Sequence, residues 1–423
     1  MLLIHEQCYE PYPIMSILYY IVIVLILLDF LWGRTLSLLN LKASYQPIPE
    51  EISDLYDHEQ HARQQAYMRA NMKFGWAGAC LTFLLTLLFF ALGGFGWLDQ
   101  WVRSWVSGEL WVSLVYFGVI YLALFVIGLP FEVYDTFVIE ARFGFNKTDV
   151  KTFVTDRVKS LLLTMLMSAV LLGGIILIYE QTNQWFWVLA WGLVTLFGLF
   201  MSMFYSQLIV PLFNKQTPLP EGELRDAIQR FAQQVDFPLT DIYVIDSSKR
   251  STKGNAYFTG WGKKKRIVIY DTLIEQLSSE EIVAVLAHEI GHYKHRHTIK
   301  SFLLQMPFQL LMFYVLGLML DNASVAEAAS CVQPSFHVGM IMFSFLYTPL
   351  SLLTDIILNY ISRMNERQAD GFAKTNGQGE ALIRALKKIS SQSLSNPTPH
   401  AVRVFVEYSH PTLTERIRLL RAD

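Results

Sequence analysis

Apolar residues gather into seven stretches, each close to the roughly 20 residues a helix needs to cross a bilayer. They lie near Ile14–Trp32, Gly75–Trp97, Trp111–Pro130, Ser160–Tyr179, Trp185–Tyr205, Ser301–Leu320 and Val338–Leu358. Trp32, Trp97, Trp111, Tyr179 and Trp185 stand at their ends, where interfacial aromatic anchors belong, although ordinary packing would also place them there. The first stretch has no basic flank before it, and Asp29, Trp32 and Arg34 stand where a signal peptide would carry small residues, so it reads as a span. Between the fifth and sixth stretches the period changes. Glu223–Val235 has helical spacing, Asp241–Asp246 reads as a strand, and Ala256–Gly260 and Arg266–Tyr270 read as a hairpin around a Gly262–Lys265 turn. Lys263–Lys265 fit a solvated turn beside a membrane better than a lipid-binding patch. Ser278-x-x-Glu281 forms a capping box ahead of a helix that carries Ile282, Val285, Leu286 and Ile290.

Composition agrees with the pattern. Of 423 residues, 53% are hydrophobic and only 17% charged, against about 25% charged in soluble domains. The formal net charge of -2 offers no basic field for nucleic acid. Cys8, Cys80 and Cys331 form no C-x-x-C pair and suit neither a disulfide framework nor a thiolate metal site. The basic residues alternate from loop to loop. The first 13 residues have none. Arg34, Lys42, Arg63, Arg69 and Lys73 follow the first span, only Arg103 the second, and Arg142, Lys147, Lys151, Arg157 and Lys159 the third. The links between spans four and five and between spans six and seven have none, whereas 206–300 and the tail are basic. With seven spans, this alternation places the amino terminus outside and both large polar segments in the cytoplasm.

The capped helix carries His288-Glu289-Ile290-Gly291-His292. Histidines at i and i+4 project from one face and can share a metal, while the glutamate between them can take a proton from a bound water. A catalytic zinc wants a third protein ligand and one open position. The metzincin continuation needs Gly at 295 and His at 298, but His295 and Thr298 stand there. His295 could approach the same metal, yet His295 and His297 read better as surface or interfacial residues. After the seventh span, Glu366 and Asp370 are again i and i+4. One can ligate while the other orients a ligand histidine. The nine residues from His292 to Ser301 and the eight from Leu358 to Glu366 span about 14 Å and about 12 Å as helix. Both metal-bearing helices therefore read as extensions of spans six and seven. Asp355, Asn359, Ser362, Glu366 and Asp370 share one helical stripe. It reads as a polar lining leading to the metal, or, for Asp355, as a buried structural hydrogen bond.

These features resemble the type I CAAX prenyl endopeptidases, integral-membrane zinc metalloproteases. The resemblance extends to LPFEVYDTFVIEARFGFNKT (129–148), IVPLFNK (209–215), GNAYFTG (254–260), KRIVIYDTL (265–273), HEIGHYKHRH (288–297), SRMNERQAD (362–370) and YSHPTLTERI (408–417), in the family's order. It implies one zinc per chain on His288, His292 and Glu366, with Glu289 as general base and Asp370 as second-layer partner. It further implies that Asn255 and Ala256 bind an extended substrate and that His410, supported by Arg416, stabilises the oxyanion. The family's spans also enclose a large intramembrane chamber. The short link Asp321–His337 and a carboxyl end with neither a K-D-E-L signal nor a dilysine lean toward a prokaryotic member of an inner or plasma membrane. A bacterium would not be expected to prenylate its own proteins.

The expected fold is therefore a predominantly α membrane protein of seven transmembrane helices. Residues 1–205 hold spans one to five with cytoplasmic loops 33–74 and 131–159, and residues 301–358 hold spans six and seven. Residues 206–300 and 359–423 would form a cytoplasmic α/β zinc-protease domain. The expected activity is hydrolysis of peptide bonds near the carboxyl terminus of CAAX-like, prenylated proteins or peptides at the bilayer. Quality-control cleavage of membrane or translocation-stalled proteins is the alternative. A seven-span transporter or receptor with a structural metal fits less well, because a closed structural site wants a fourth ligand and no base.

Overall fold

The computed structural model describes residues 16–259 and 265–422. The first residues of span one, Cys8, and most of the Gly262–Lys265 turn lie outside the described residues. Among the described residues, six helices are long and apolar enough to cross a membrane: α1 (Ile17–Ala43), α2 (His58–Ala91), α4 (Glu109–Tyr134, continued by a π-helical turn to Glu140), α5 (Val150–Thr182), α6 (Phe186–Leu208) and α9 (His297–Leu320). Their apolar side chains turn outward. On α5, Leu162, Leu166 and Val170 are 61%, 64% and 66% exposed. A soluble protein would bury such residues; a lipid-facing helix exposes them.

Two predicted spans are interrupted, and each interruption has a local cause. The second does not run to Trp97. It ends at Ala91, Gly93 takes the left-handed conformation at φ 69, and a separate helix α3 (Gly94–Arg103) follows. α3 buries Phe95, Leu98 and Val102 and exposes Trp97 and Trp101. A side chain at Gly96 would collide with the Ser330 carbonyl, so α3 lies directly on that loop. The seventh span is not one rod over Val338–Leu358. It is α10 (Phe336–Leu346) followed by α11 (Thr348–Thr375), bent by 59° at Tyr347. Pro349 lies in the first turn of α11, where it lacks the N–H that would bond back into α10.

The polar segments meet in one unit. Its sheet has β1 (Gln216–Pro218), β2 (Leu239–Ile245), β3 (Ala256–Thr259) and β4 (Lys265–Tyr270) in the order β1-β2-β4-β3. β2 and β4 are parallel, with Ile242 opposite Ile267, while β3 and β4 form the expected antiparallel hairpin. β1 has no counterpart in the sequence reading. α7 (Glu223–Gln234) and α8 (Ser279–Lys294) cover the sheet. After α11 come α12 (Gly379–Gln392), α13 (Ala401–Glu407) and α14 (Leu413–Arg421). Ile228, Ile267, Ile269, Ile282, Leu286 and Ile290 share one buried core with Leu382, Ile383 and Ile417 from the tail, and with Ile52 and Phe143 from two loops. Each such side chain contributes about 1.5–3 kcal/mol on burial. That core holds together two chain segments separated by α9 and α10.

At the opposite end, α3, α4 and α10 are joined by buried polar groups. His337 contacts Asp99 Oδ1 through Nε2 at 2.8 Å and Ser113 Oγ through Nδ1 at 2.9 Å. Arg103 bonds both Asp99 and Glu109.

Candidate active site

The capping box is present. Ser278 N donates to Glu281 Oε2 at 2.8 Å and Glu281 N to Ser278 Oγ at 3.3 Å. It starts α8 in the register that sends Ile282, Leu286 and Ile290 into the core and leaves His288 and His292 facing α11. Gly291 permits the close approach. A Cβ there would lie 2.9 Å from Ala369 Cα and 3.0 Å from the Ala369 carbonyl oxygen.

Across this contact α11 presents Glu366. His288 Nε2 lies 3.3 Å from Glu366 Oε2, His292 Nε2 lies 3.2 Å from Glu366 Oε1, and the two Nε2 atoms are 3.2 Å apart. One ligand atom from each residue falls within 4.8 Å of the others. Glu366 Oε2 is buried without a hydrogen-bond partner, an arrangement that a cation resolves. Two nitrogens and a carboxylate oxygen suit zinc and leave a fourth position open.

His288 Nδ1 meets Asp370 Oδ1 at 2.8 Å. Arg416 grips the same carboxylate, Nε to Oδ2 at 2.8 Å and Nη2 to Oδ1 at 2.6 Å, with Nη2 3.3 Å from His288 Nδ1. Arg416 thus engages Asp370 and not His410, the residue it was expected to support. The electrostatics follow from these partners. Burial alone would lower the His288 pKa, but the Asp370 and Glu366 carboxylates push it up to about 9. Burial raises Glu366 and Asp370 too, yet His288 with His292, and His288 with Arg416, hold both below the usual carboxylate range. Glu289 is half-buried and 100° round α8 from His288. Burial keeps its pKa above the ordinary value.

His410 approaches from the tail. Its Nε2 is 3.3 Å from Glu366 Oε1, Nδ1 contacts Ser409 Oγ at 2.9 Å, and its side chain is 62% exposed. Buried Arg363, one turn before Glu366, sets that approach by donating to the carbonyls of Val404, Phe405 and Tyr408 at the end of α13. Asn255 and Ala256 open β3, the outer strand of the sheet. The Asn255 carbonyl accepts from Tyr270 N–H, so the main-chain groups of Ala256 and Phe258 point away from β4. The Ala256 N–H expected for substrate is held by Asn255 Oδ1 at 2.9 Å. Beside Asn255 lies a cavity of about 680 Å³ whose lining includes Tyr205, Tyr257, Tyr270, Arg250 and Asp156.

The stripe on α11 opens elsewhere. Asp355 and Asn359 line a cavity of about 830 Å³ between α1, α2 and the α10–α11 bend, with Asp29, Arg34 and Thr82 opposite. Asn359 also donates to the Val406 carbonyl at 2.8 Å.

α8 does not run unbroken into α9. It ends at Lys294, Arg296 is left-handed at φ 56, and α9 begins at His297. His297 is buried, not on the surface. Gly291 and Arg363 are residues of this site that the sequence did not single out, and His297, set aside there as surface or interfacial, belongs to it as well. Only the glycine between the two histidines carried a signal, as a candidate close contact.

Residues 37–215 match the family model described as CAAX prenyl protease N-terminal, five membrane helices, and residues 218–423 match peptidase family M48. The CAAX prenyl protease 1 homolog of Oryza sativa subsp. japonica is 36% identical, covering 88% of this chain and 90% of its own. CAAX prenyl protease 1 of Saccharomyces cerevisiae is 33% identical, covering 90% and 89%. The crystal structure of S. mikatae Ste24p superposes with a TM-score of 0.91 at 30% identity, covering 98% of this chain and 100% of that one. These relatives are eukaryotic and give the expectation of a prokaryotic member no support. The chain belongs to peptidase family M48, among the integral-membrane metalloendopeptidases of the CAAX prenyl protease 1 group.

Proposed function

We propose that this protein is a zinc endopeptidase that cleaves prenylated CAAX-type proteins near their carboxyl terminus, with zinc held by His288, His292 and Glu366. The observation that carries the reading is the convergence of those three side chains, with Glu366 Oε2 buried and unpartnered and Glu289 close enough to interact with their charges. Zinc bound there supplies a Lewis acid that acidifies water and polarises a carbonyl. Glu289, with its raised pKa, takes the proton of the attacking water and returns it to the leaving amine. Asp370 accepts from His288 Nδ1–H and so fixes which ring nitrogen is left for the metal. Exposed His410 offers Nε2–H to the oxygen on which charge develops. The substrate chain lies along the open edge of β3, where Ala256 and Phe258 present main-chain groups, and extends toward the cavity beside Asn255.

The alternation of basic loops supports a zinc-bearing unit on the cytoplasmic side. The test is a reconstituted panel of farnesylated and unfarnesylated CAAX peptides and an unfolded membrane protein, given to wild type and Glu289→Ala, with metal analysis of both. Cleavage of the farnesylated peptide by wild type alone, with one zinc in each protein, is expected. Cleavage of the unfolded protein alone would move the activity to quality control, and no cleavage at all would make the metal structural.

A further inference from the structure

His297 stands five residues beyond His292. On an uninterrupted helix five residues turn about 500°, which would leave the two rings about 140° apart around the axis, facing different neighbours. The break at His295–Arg296 changes this. With Arg296 at φ 56 and ψ 35, the chain folds back and α9 restarts at His297. A left-handed backbone is rare for a side chain as long as arginine and survives where the surroundings impose it. Its consequence is that His297, 3% exposed, places Nδ1 3.0 Å from His292 Nδ1 and Nε2 2.9 Å from Gln368 Oε1.

The tautomers along this chain are determined by its first member. His292 turns Nε2 toward Glu366 and His288, so with Nε2 given to the metal its neutral ring keeps the proton on Nδ1. His297 Nδ1 must then accept that proton's hydrogen bond. Its own proton sits on Nε2, which donates to Gln368 Oε1. Because His297 Nδ1 faces the Nδ1 side of His292, His297 is not a fourth ligand. Gln368 lies between Glu366 and Asp370 on α11. One helix therefore orients both histidines of α8, His288 directly through Asp370 and His292 through His297.

We propose that His297 and Gln368 are positioning residues that fix the ring orientation and tautomer of His292, and that the left-handed turn at Arg296 serves to aim His297 at it. The proposal rests on reading His292 as a metal ligand. Outer partners of ligand histidines are typically worth 10- to 100-fold in metal affinity.

The experiment uses the full chain in detergent, with zinc affinity measured by chelator competition and thermal unfolding followed on the metal-free protein. His297→Leu, which leaves His292 Nδ1–H without an acceptor, is expected to weaken zinc binding about 10- to 100-fold. His297→Asn, whose side-chain oxygen can stand where Nδ1 stood, is expected to stay within about threefold of wild type, since the acceptor is restored. Gln368→Leu, at an exposed position, is expected to weaken binding in the same direction as His297→Leu, and it carries the test if His297→Leu does not fold. Equal losses in the Leu and Asn variants overturn the proposal, because packing rather than the hydrogen bond would then be what matters. Zinc binding unchanged in His297→Leu or Gln368→Leu, but lost in His292→Ala, overturns it while leaving the metal site intact. Binding unchanged in His292→Ala overturns the metal reading and the proposal together.

Discussion

Consider Gly291→Ala. On an open helix the change stabilises by about 1 kcal/mol, because alanine is the better helix former. Here the new methyl would stand 2.9 Å from Ala369 Cα, 3.0 Å from the Ala369 carbonyl oxygen and 3.1 Å from Phe372 Cβ. Ordinary carbon contacts lie at about 3.5–4.0 Å. The shortfall is roughly 0.6 Å, and main-chain atoms cannot rotate away from it. α8 and α11 must part by about that amount, whereas metal–ligand distances tolerate about 0.2 Å. Overpacking of this kind costs about 1–3 kcal/mol. Loaded onto the metal-bound geometry, that is a roughly 5- to 160-fold loss of zinc affinity, with a larger loss of peptide cleavage. Chelator competition, cleavage of a farnesylated peptide and melting of the metal-free protein would be measured side by side. A variant that melts higher than wild type, binds zinc equally well and cleaves at the same rate would show that the two helices are not in hard contact at Gly291.

Asp370→Ala should lower zinc affinity about 10- to 100-fold by removing the acceptor that orients His288, and should also lower the melting temperature, because buried Arg416 loses its anion; chelator competition and calorimetry read the two effects. Glu281 titrates below its ordinary value, since Lys388 and the Ser278 N–H outweigh the upward pull of burial. Its contribution is therefore complete above the unfolded value near 4.5 and is lost as pH falls through the lower folded value; in pH-dependent melting, Glu281→Gln should flatten the acid limb and leave the neutral region destabilised. His337→Leu should cost about 1–3 kcal/mol by stranding Ser113 and one side of Asp99, while zinc affinity stays at the wild-type level. A parallel fall in zinc affinity would mean that the two ends of the molecule are coupled.

What could be read from the residues alone was whatever rests on local periodicity. The spacing of His288 and His292, and of Glu366 and Asp370, is helical arithmetic, and the capping box needs only residues 278 to 281. The spans announce themselves by length. Their interruptions were also written locally, in Gly93-Gly94 and Thr348-Pro349, but long apolar runs masked them. Other features depend on which elements meet in space. Arg416 reaches Asp370 across 46 positions of sequence, and nothing in its local pattern names that partner. The left-handed Arg296 has no glycine to advertise it, so a broken helix looked continuous and a buried histidine looked exposed. The main-chain groups of Ala256 face the outer edge of β3, but its N–H is held by the neighbouring asparagine side chain, a bond that only the rotamer decides.

The division of the site between α8 and α11 bears on when the protein can become active. His288, Glu289 and His292 are synthesised before the last two spans, Glu366 and His410 after them. A nascent chain that has emerged only as far as α9 has the two histidines and lacks Glu366, the proposed third ligand. On the proposed ligand set, proteolysis would wait until α9 and α10 have been threaded into the bilayer and α11 has returned to the side where α8 waits. With that ligand set, the site is completed by insertion of the last spans, and a chain whose last hairpin fails to insert would lack Glu366 and His410 beside α8.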